Sequence, residues 1–267
     1  MKIGKKISSV ANPLVREIQL LAKSKARKEK NLLLAEGVRE ILMALKHGYH
    51  IDTLICLEED IEGAVWPLFK PYEKQIAEVV SANRLVFEKI AYRENGAGAV
   101  AILQGRSANF DSITLNQQPL ILVIVGVEKP GNLGAMIRTA NAAGVTAMLV
   151  CDPLADIYNP NCIRASLGAV FASPVLTCSS QQAIEWLQKS NIQIITTYLE
   201  AAVPYYQADL RLPSALVVGS EASGISGEWL KAAKQNIIIP MPGEVDSLNV
   251  SNAAAIVLFE ALRQRGA

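Results

Sequence analysis

Histidine is nearly missing from this chain, and cysteine is sparse and scattered. Only two histidines occur among 267 residues, His47 and His50, flanking a Gly-Tyr turn. A Ser-His-Asp hydrolase or a His-ligated metal centre is poorly served by such a supply. The four cysteines, Cys56, Cys151, Cys162 and Cys178, include no Cys-x-x-Cys pair. That spacing offers neither a zinc site nor a disulfide framework, and buried structural thiols are expected. No apolar run approaches the roughly 20 residues that span a bilayer. The opening Met-Lys-Ile-Gly-Lys-Lys lacks the apolar stretch of a secretory signal. A soluble, cytoplasmic protein is the expectation. An excess of one charge is absent too: the formal net charge is +1, which neither demands nor excludes a nucleic-acid partner.

Hydrophobic residues make up 51% of the chain, enough for a sizeable core, and the length suits about two domains. Residues 1–108 read as a small α/β domain. Asn12 and Pro13 open a helix, as N-cap and first helical residue. Strands are expected at 32–35, 51–56, 75–80 and 99–103, with a helix at 38–46. The basic run Lys23-Ser-Lys-Ala-Arg-Lys-Glu-Lys30 lies between, and Lys2, Lys5, Lys6 and Arg16 add to it in sequence. A charge run is commonly a solvated helix face. Clustered at one end of a near-neutral chain, it also suits a surface that tracks phosphates. Residues 109–118, polar with Ser, Asn and Gln, read as a linker.

From residue 119 onward the pattern changes to short, nearly continuous apolar runs at 120–125, 147–150, 192–196, 215–218 and 236–239. Such runs fit a parallel sheet covered on both faces. Three loops rich in glycine and small polar residues follow the first, fourth and fifth runs, at 128–138, 218–224 and 239–249. Loops at the strand ends of an α/β sheet are where ligands usually bind. In the first, Gly131 and Gly134 allow close backbone approach, Asn132 can cap the helix that starts there, and Arg138 lies about one turn in, off the packing face. Asp152, some 20 residues beyond the glycine turn, offers a dinucleotide-binding reading, though Gly-x-Gly-x-x-Gly is absent. In the second, Glu221 could bind a ligand or cap a turn. In the third, capping accounts for one of Ser247 and Asn249, not both.

Asn132-x-Gly134-x-x-x-Arg138-Thr-Ala, Gly219-x-Glu221-x-x-Gly224 and Ile239-Pro-Met…Ser247-Leu-Asn-Val-Ser-Asn-Ala together resemble the three motifs of the SpoU/TrmH family of RNA ribose methyltransferases, in the family's order. The resemblance implies a SPOUT catalytic domain over 119–267 with a parallel sheet and a deep trefoil knot. It implies methyl transfer from S-adenosylmethionine to a ribose 2′-hydroxyl, with Arg138, Asn132, Glu221, Ser247 and Asn249 catalytic. Gly219, Ile239, Leu248, Thr197 and Met241 would hold the donor, and no metal is called for. A homodimer with its active site at the interface is implied, with Arg164 bordering it. Lys30-Asn-Leu-Leu-Leu-Ala-Glu-Gly-Val-Arg-Glu resembles the ribosomal-protein-like RNA-binding domain that precedes this unit in many members, which favours ribosomal over transfer RNA. The stretch 92–102 departs from the Pro-Gln-Gly form common there. A nucleotide-dependent oxidoreductase and a non-catalytic RNA-binding protein stand as alternatives, the first leaving the third loop unexplained and the second leaving Arg138, Glu221 and Asn249 without work.

Overall fold

The computed structural model describes residues 4–91, 98–220, 224–245 and 247–266. Lys2, the start of the 92–102 stretch and Glu221 lie outside the described residues. The chain divides into two compact units, residues 1–107 with 158–172, and residues 108–157 with 173–267.

The first unit begins with β1 (Lys5–Ile7), α1 (Pro13–Leu21), α2 (Ser24–Lys30), β2 (Leu32–Glu36), α3 (Val38–Lys46) and β3 (Ile51–Leu57). It continues through α4 (Trp66–Phe69), β4 (Ile76–Ala82), α5 (Arg84–Ile90) and β5 (Ala99–Gln104). The sheet order is β1-β4-β3-β5-β2, with β5 antiparallel to both neighbours. Asn12 caps α1 as its residue type predicts, its side chain accepting from the Leu14 amide at 2.9 Å, with Pro13 at the first helical position. Val15, Ile18 and Leu21 of α1 and Val86 and Phe87 of α5 bury against Ile55, Val80, Val100 and Ile102.

The basic run forms α2 and divides by function. Arg27 is buried and donates from Nη1 to the carbonyls of Leu21 and Ala22 at 2.7 and 2.9 Å, closing the end of α1. Lys30 pairs with Glu17 at 2.6 Å, and Lys25 with Glu29 at 3.8 Å. Lys23 and Lys28 are exposed. Lys5 and Lys6 pair with Glu78 and Glu58. Much of the run's charge is therefore taken up within the fold.

The second unit carries β6 (Leu120–Val125), α6 (Pro130–Ala142) and β7 (Ala147–Cys151). Next in the chain come α7 (Pro160–Ala165), α8 (Ala169–Ala172), β8 (Val175–Cys178), α9 (Ser180–Lys189), β9 (Gln193–Thr197) and β10 (Ala202–Pro204). Last are β11 (Ser214–Val218), α10 (Gly227–Ala232), β12 (Gln235–Ile238) and α11 (Val250–Arg265). The seven strands are all parallel, in the order β10-β12-β9-β11-β6-β7-β8. Every residue of β6, β7 and β11 is buried, as expected of central strands covered on both faces. On one side Leu187 and Trp229, from α9 and α10, pack on Val123, Leu149 and Val217; on the other, α11 packs on α6 and β11. Strands β8 and β10 were not expected from the sequence. They have four and three residues, too short for an apolar run to stand out.

Residues 108–118 pack with the second unit: Ile113 is buried in its core and Phe110 stacks on Trp186 at 5.3 Å. Helices α7 and α8, by contrast, belong to the first unit, where they contact β2 and α3. Gly168, at φ +79°, brings this segment so close to α3 that a β-carbon would lie 2.9 Å from Met43 Cβ. Phe171 adds an edge contact to Tyr49 and a stacked one to Tyr158. The chain thus passes between the two units three times.

Candidate active site

The carboxyl ends of β9, β11 and β12 surround a cavity of about 330 Å³. Thr197, Tyr198 and Leu199 close it after β9, Gly219, Ser220, Gly224 and Ile225 after β11, and Ile237, Ile238, Ile239 and Met241 along and after β12. Ser247, Leu248, Val250 and Ala253 complete it around the start of α11. Parallel strands end together, so loops far apart in sequence converge on one crevice. Gly219, Ile239, Leu248, Thr197 and Met241, the residues assigned to the donor by resemblance, all line it, as does Ser247.

Local chemistry explains this wall. Thr197 donates its hydroxyl to the Val217 carbonyl at 3.1 Å, tying β9 to β11. Beyond β11 the chain turns back on itself: the Gly224 amide donates to the Ser220 carbonyl at 3.0 Å, with Gly224 at φ +63°. A β-carbon on Gly219 would overlap the Gly224 carbonyl, so only glycine permits that turn. Leu199, 68% exposed, is a lining residue the sequence reading missed. Its one signal was an apolar residue just past a strand end.

Asn249 caps α11, its Oδ1 accepting from the Ser251 amide at 2.9 Å. Its Nδ2 donates to Asn132 Oδ1 at 3.3 Å, so the first and third motifs meet beside the cavity. Asn132 does not cap α6 as expected. The helix begins at Pro130, with Lys129 at the cap position and no side-chain capping hydrogen bond. Proline's fixed φ starts the helix three residues earlier, which leaves Asn132 inside the first turn. Arg138 consequently lies more than two turns into α6, not one. It is exposed and outside the cavity lining of its own chain. From Asn132 it is six residues on, which places it about 9 Å along the axis and turned by roughly 120°. Ser247 leaves the capping to Asn249 and faces the cavity.

Asp152 is taken up elsewhere. Its Oδ2 accepts from the Ser180 amide at 3.0 Å, anchoring the first turn of α9. That removes the acid on which the dinucleotide reading leaned. Arg164 donates to Asn161 Oδ1 at 2.9 Å within α7. Among the described residues no group of three His, Cys, Asp or Glu could hold a metal ion.

Comparison with known proteins agrees with this architecture. Residues 119–259 match the SpoU rRNA Methylase family, and residues 12–101 match the MRM3-like substrate binding domain. A 23S rRNA (uridine(2479)-2′-O)-methyltransferase of Streptomyces viridochromogenes is 28% identical over 252 residues, covering 92% of this chain and 88% of that protein. A crystal structure described as an RNA 2′-O ribose methyltransferase superposes with a TM-score of 0.85 at 37% identity, covering 98% of this chain and all of that one. An AdoMet-bound rRNA methyltransferase from Sinorhizobium meliloti gives a TM-score of 0.88 at 30% identity over 97% of each chain. With more than half of its length matched by that one family and its three motif loops gathered at the ends of a single parallel sheet, this chain belongs to the SpoU rRNA methylases.

Proposed function

We propose that this protein transfers a methyl group from S-adenosylmethionine to a ribose 2′-hydroxyl of RNA, with ribosomal RNA as the substrate class. The observation that carries the reading is the single cavity formed by the second and third motif loops, with the Asn132–Asn249 pair at its shoulder. Ligand pockets generally hold about 300–1,000 Å³ with apolar walls and a few polar groups. This one has Ile, Leu and Met side chains with main-chain groups at strand ends, which fits an adenosine held by apolar faces and backbone. The sulfonium of the bound donor supplies an activated methyl group, so the chain need not protonate a leaving group.

The work left to the protein lies at the acceptor. A ribose hydroxyl stays protonated near neutral pH, and a guanidinium does too, which makes Arg138 a poor base. Arg138 instead holds the neighbouring phosphate and stabilises negative charge developing on the 2′-oxygen. Asn132 and Asn249 orient the ribose through amide groups their mutual hydrogen bond fixes, and Ser247 faces the same space. Glu221 is assigned with them on the motif alone.

Because Arg138 lies outside its own chain's cavity lining, a second copy is part of this reading: a homodimer in which Arg138 reaches the partner's cavity. Phe259, a large apolar side chain left 51% exposed on α11, supports such a contact. The trefoil knot belongs to the same proposal, supported by β11 lying between the earlier strands β6 and β9. No helix among the described residues is long and apolar enough to cross a membrane, which accords with the cytoplasmic setting of ribosomal RNA.

The test is incubation with labelled donor and either ribosomal or transfer RNA, followed by mapping of 2′-O-methyl positions. Label should enter ribosomal RNA at a ribose. Methylation of a base would refute the reaction, and labelling confined to transfer RNA would refute the substrate class.

The RNA-facing charge of α2 makes a sharper prediction than the whole basic run. Replacing Lys23 and Lys28 with glutamine should weaken RNA binding and flatten its salt dependence, the slope falling by roughly 0.7–0.9 for each phosphate no longer neutralised. Arg27→Ala should act differently, costing about 1–3 kcal/mol of stability because two carbonyls lose their donor. An unchanged salt slope in the double lysine variant would return α2 to an ordinary solvated face.

A further inference from the structure

The sheet of the second unit holds a pair of thiols for which methyl transfer has no use. Cys151 is the last residue of β7 and Cys178 the last of β8, and the parallel register sets them opposite each other. Their Sγ atoms lie 3.8 Å apart. Neighbouring strands run about 4.8 Å apart, and disulfides span Cα separations of about 4.4–6.8 Å. The backbones thus already stand at bridging distance, and closure asks only for rotation of two side chains that share one face. Cys151 is fully buried, whereas Cys178 is half-buried on the edge strand.

We propose that Cys151 and Cys178 form a peroxide-oxidisable dithiol whose disulfide ties edge strand β8 to β7 and stabilises the catalytic unit. The Cys178 thiolate attacks one oxygen of hydrogen peroxide; the O–O bond breaks, giving a sulfenic acid on Cys178 and hydroxide. The Cys151 sulfur then attacks the Cys178 sulfur, forming the S–S bond as the sulfenic oxygen leaves in water. Two thiols and one peroxide thus give one disulfide and two waters: each sulfur is oxidised by one electron and the peroxide is reduced. The division of labour follows from surroundings. The hydrogen bond with Cys151 holds the Cys178 thiol below its usual range, while that bond and then burial push Cys151 up. The more exposed sulfur is therefore the one that ionises and meets the oxidant first.

The bridge would close a loop containing α7 and α8, restricting the unfolded chain. Strand β6 separates the pair from β11, the nearest strand of the donor cavity, and neither cysteine lines that cavity, so the bridge leaves the donor-binding groups untouched. The test treats the full-length protein with hydrogen peroxide, counts free thiols after denaturation and maps the cross-linked peptides. Two of the four thiols should disappear, Cys151 should be found joined to Cys178, and Tm should rise, with dithiothreitol reversing all three. Cys178→Ser and Cys151→Ser should each abolish the cross-link and the Tm gain, whereas Cys56→Ser should keep both. Unconsumed thiols, oxidation ending as separate sulfinic acids, or a cross-link without a gain in Tm would overturn the proposal. Should a variant fail to fold, the wild-type peptide map and melting curve decide alone.

Discussion

Replacing Arg138 with alanine should lower turnover by about 10²–10³-fold while leaving donor affinity nearly unchanged, since removal of one preorganised charge-stabilising donor has effects of that order. Donor affinity is spared because Arg138 is assigned to the RNA phosphate and the 2′-oxygen, whereas the donor is held by groups of β9, β11, β12 and the start of α11. The same geometry yields a stronger result. If Arg138 serves the partner's cavity, a subunit lacking Arg138 but keeping its cavity can be rescued by one with the opposite defect. In a random mixture half the dimers are mixed, and each has one complete site of two, so about a quarter of wild-type activity should return. Neither parent alone would show it. Mixed dimers confirmed by tagging, yet inactive, would assign Arg138 to its own chain. Undiminished turnover in Arg138→Ala would remove it from the mechanism.

The sequence carried the sheet of the second unit well, and for a physical reason. Strands buried on both faces read as unbroken apolar runs, so residues 120–125 matched β6 outright and the other long runs matched within one residue at each end. The edge strands β8 and β10, at four and three residues, are too short to give such a run, which is why they are not legible in the sequence. The start of α6 was misplaced because asparagine is a strong cap, yet Pro130 sets the helix earlier and Asn132 is freed to pair with Asn249. That pairing spans 117 positions and no local rule contains it.

The cavity residues were identified by resemblance. Periodicity shows that Thr197, Gly219 and Ile239 stand near strand ends, but only the strand order makes those ends neighbours. The packing of α7 and α8 into the first unit was illegible for the same reason. A segment placed between two strands of one sheet gives no local sign that Gly168 and Phe171 will meet α3 and Tyr49. Arg27 shows the limit from the other side: in sequence it is one cation in a row, and only the carbonyls of Leu21 and Ala22 distinguish it.

Gly219→Val should abolish donor binding and lower stability, whereas Gly131→Ala should leave donor binding intact and raise stability by about 0.5–1 kcal/mol. The two glycines flank the same reading of the site but differ in surroundings. At Gly219 an added β-carbon would overlap the Gly224 carbonyl and lie 2.8 Å from Ile225 Cγ1. Most of that obstruction is backbone, which cannot rotate away, so the turn from Ser220 to Gly224 would have to open. Opening it removes one wall of the cavity, since Gly219, Ser220, Gly224 and Ile225 form its β11 side. Overpacking alone costs about 1–3 kcal/mol, and the loss of binding comes on top of it. At Gly131, by contrast, nothing lies within 4 Å of the added carbon, and the residue sits in the first turn of α6, where alanine is the better helix former. Calorimetric titration of the donor, beside thermal melts of both variants, separates these effects. Retained donor affinity in a folded Gly219→Val protein would show that the β11 turn is not the wall of the donor site. A weakened RNA interaction in a stabilised Gly131→Ala would reveal that RNA, not packing, requires glycine there.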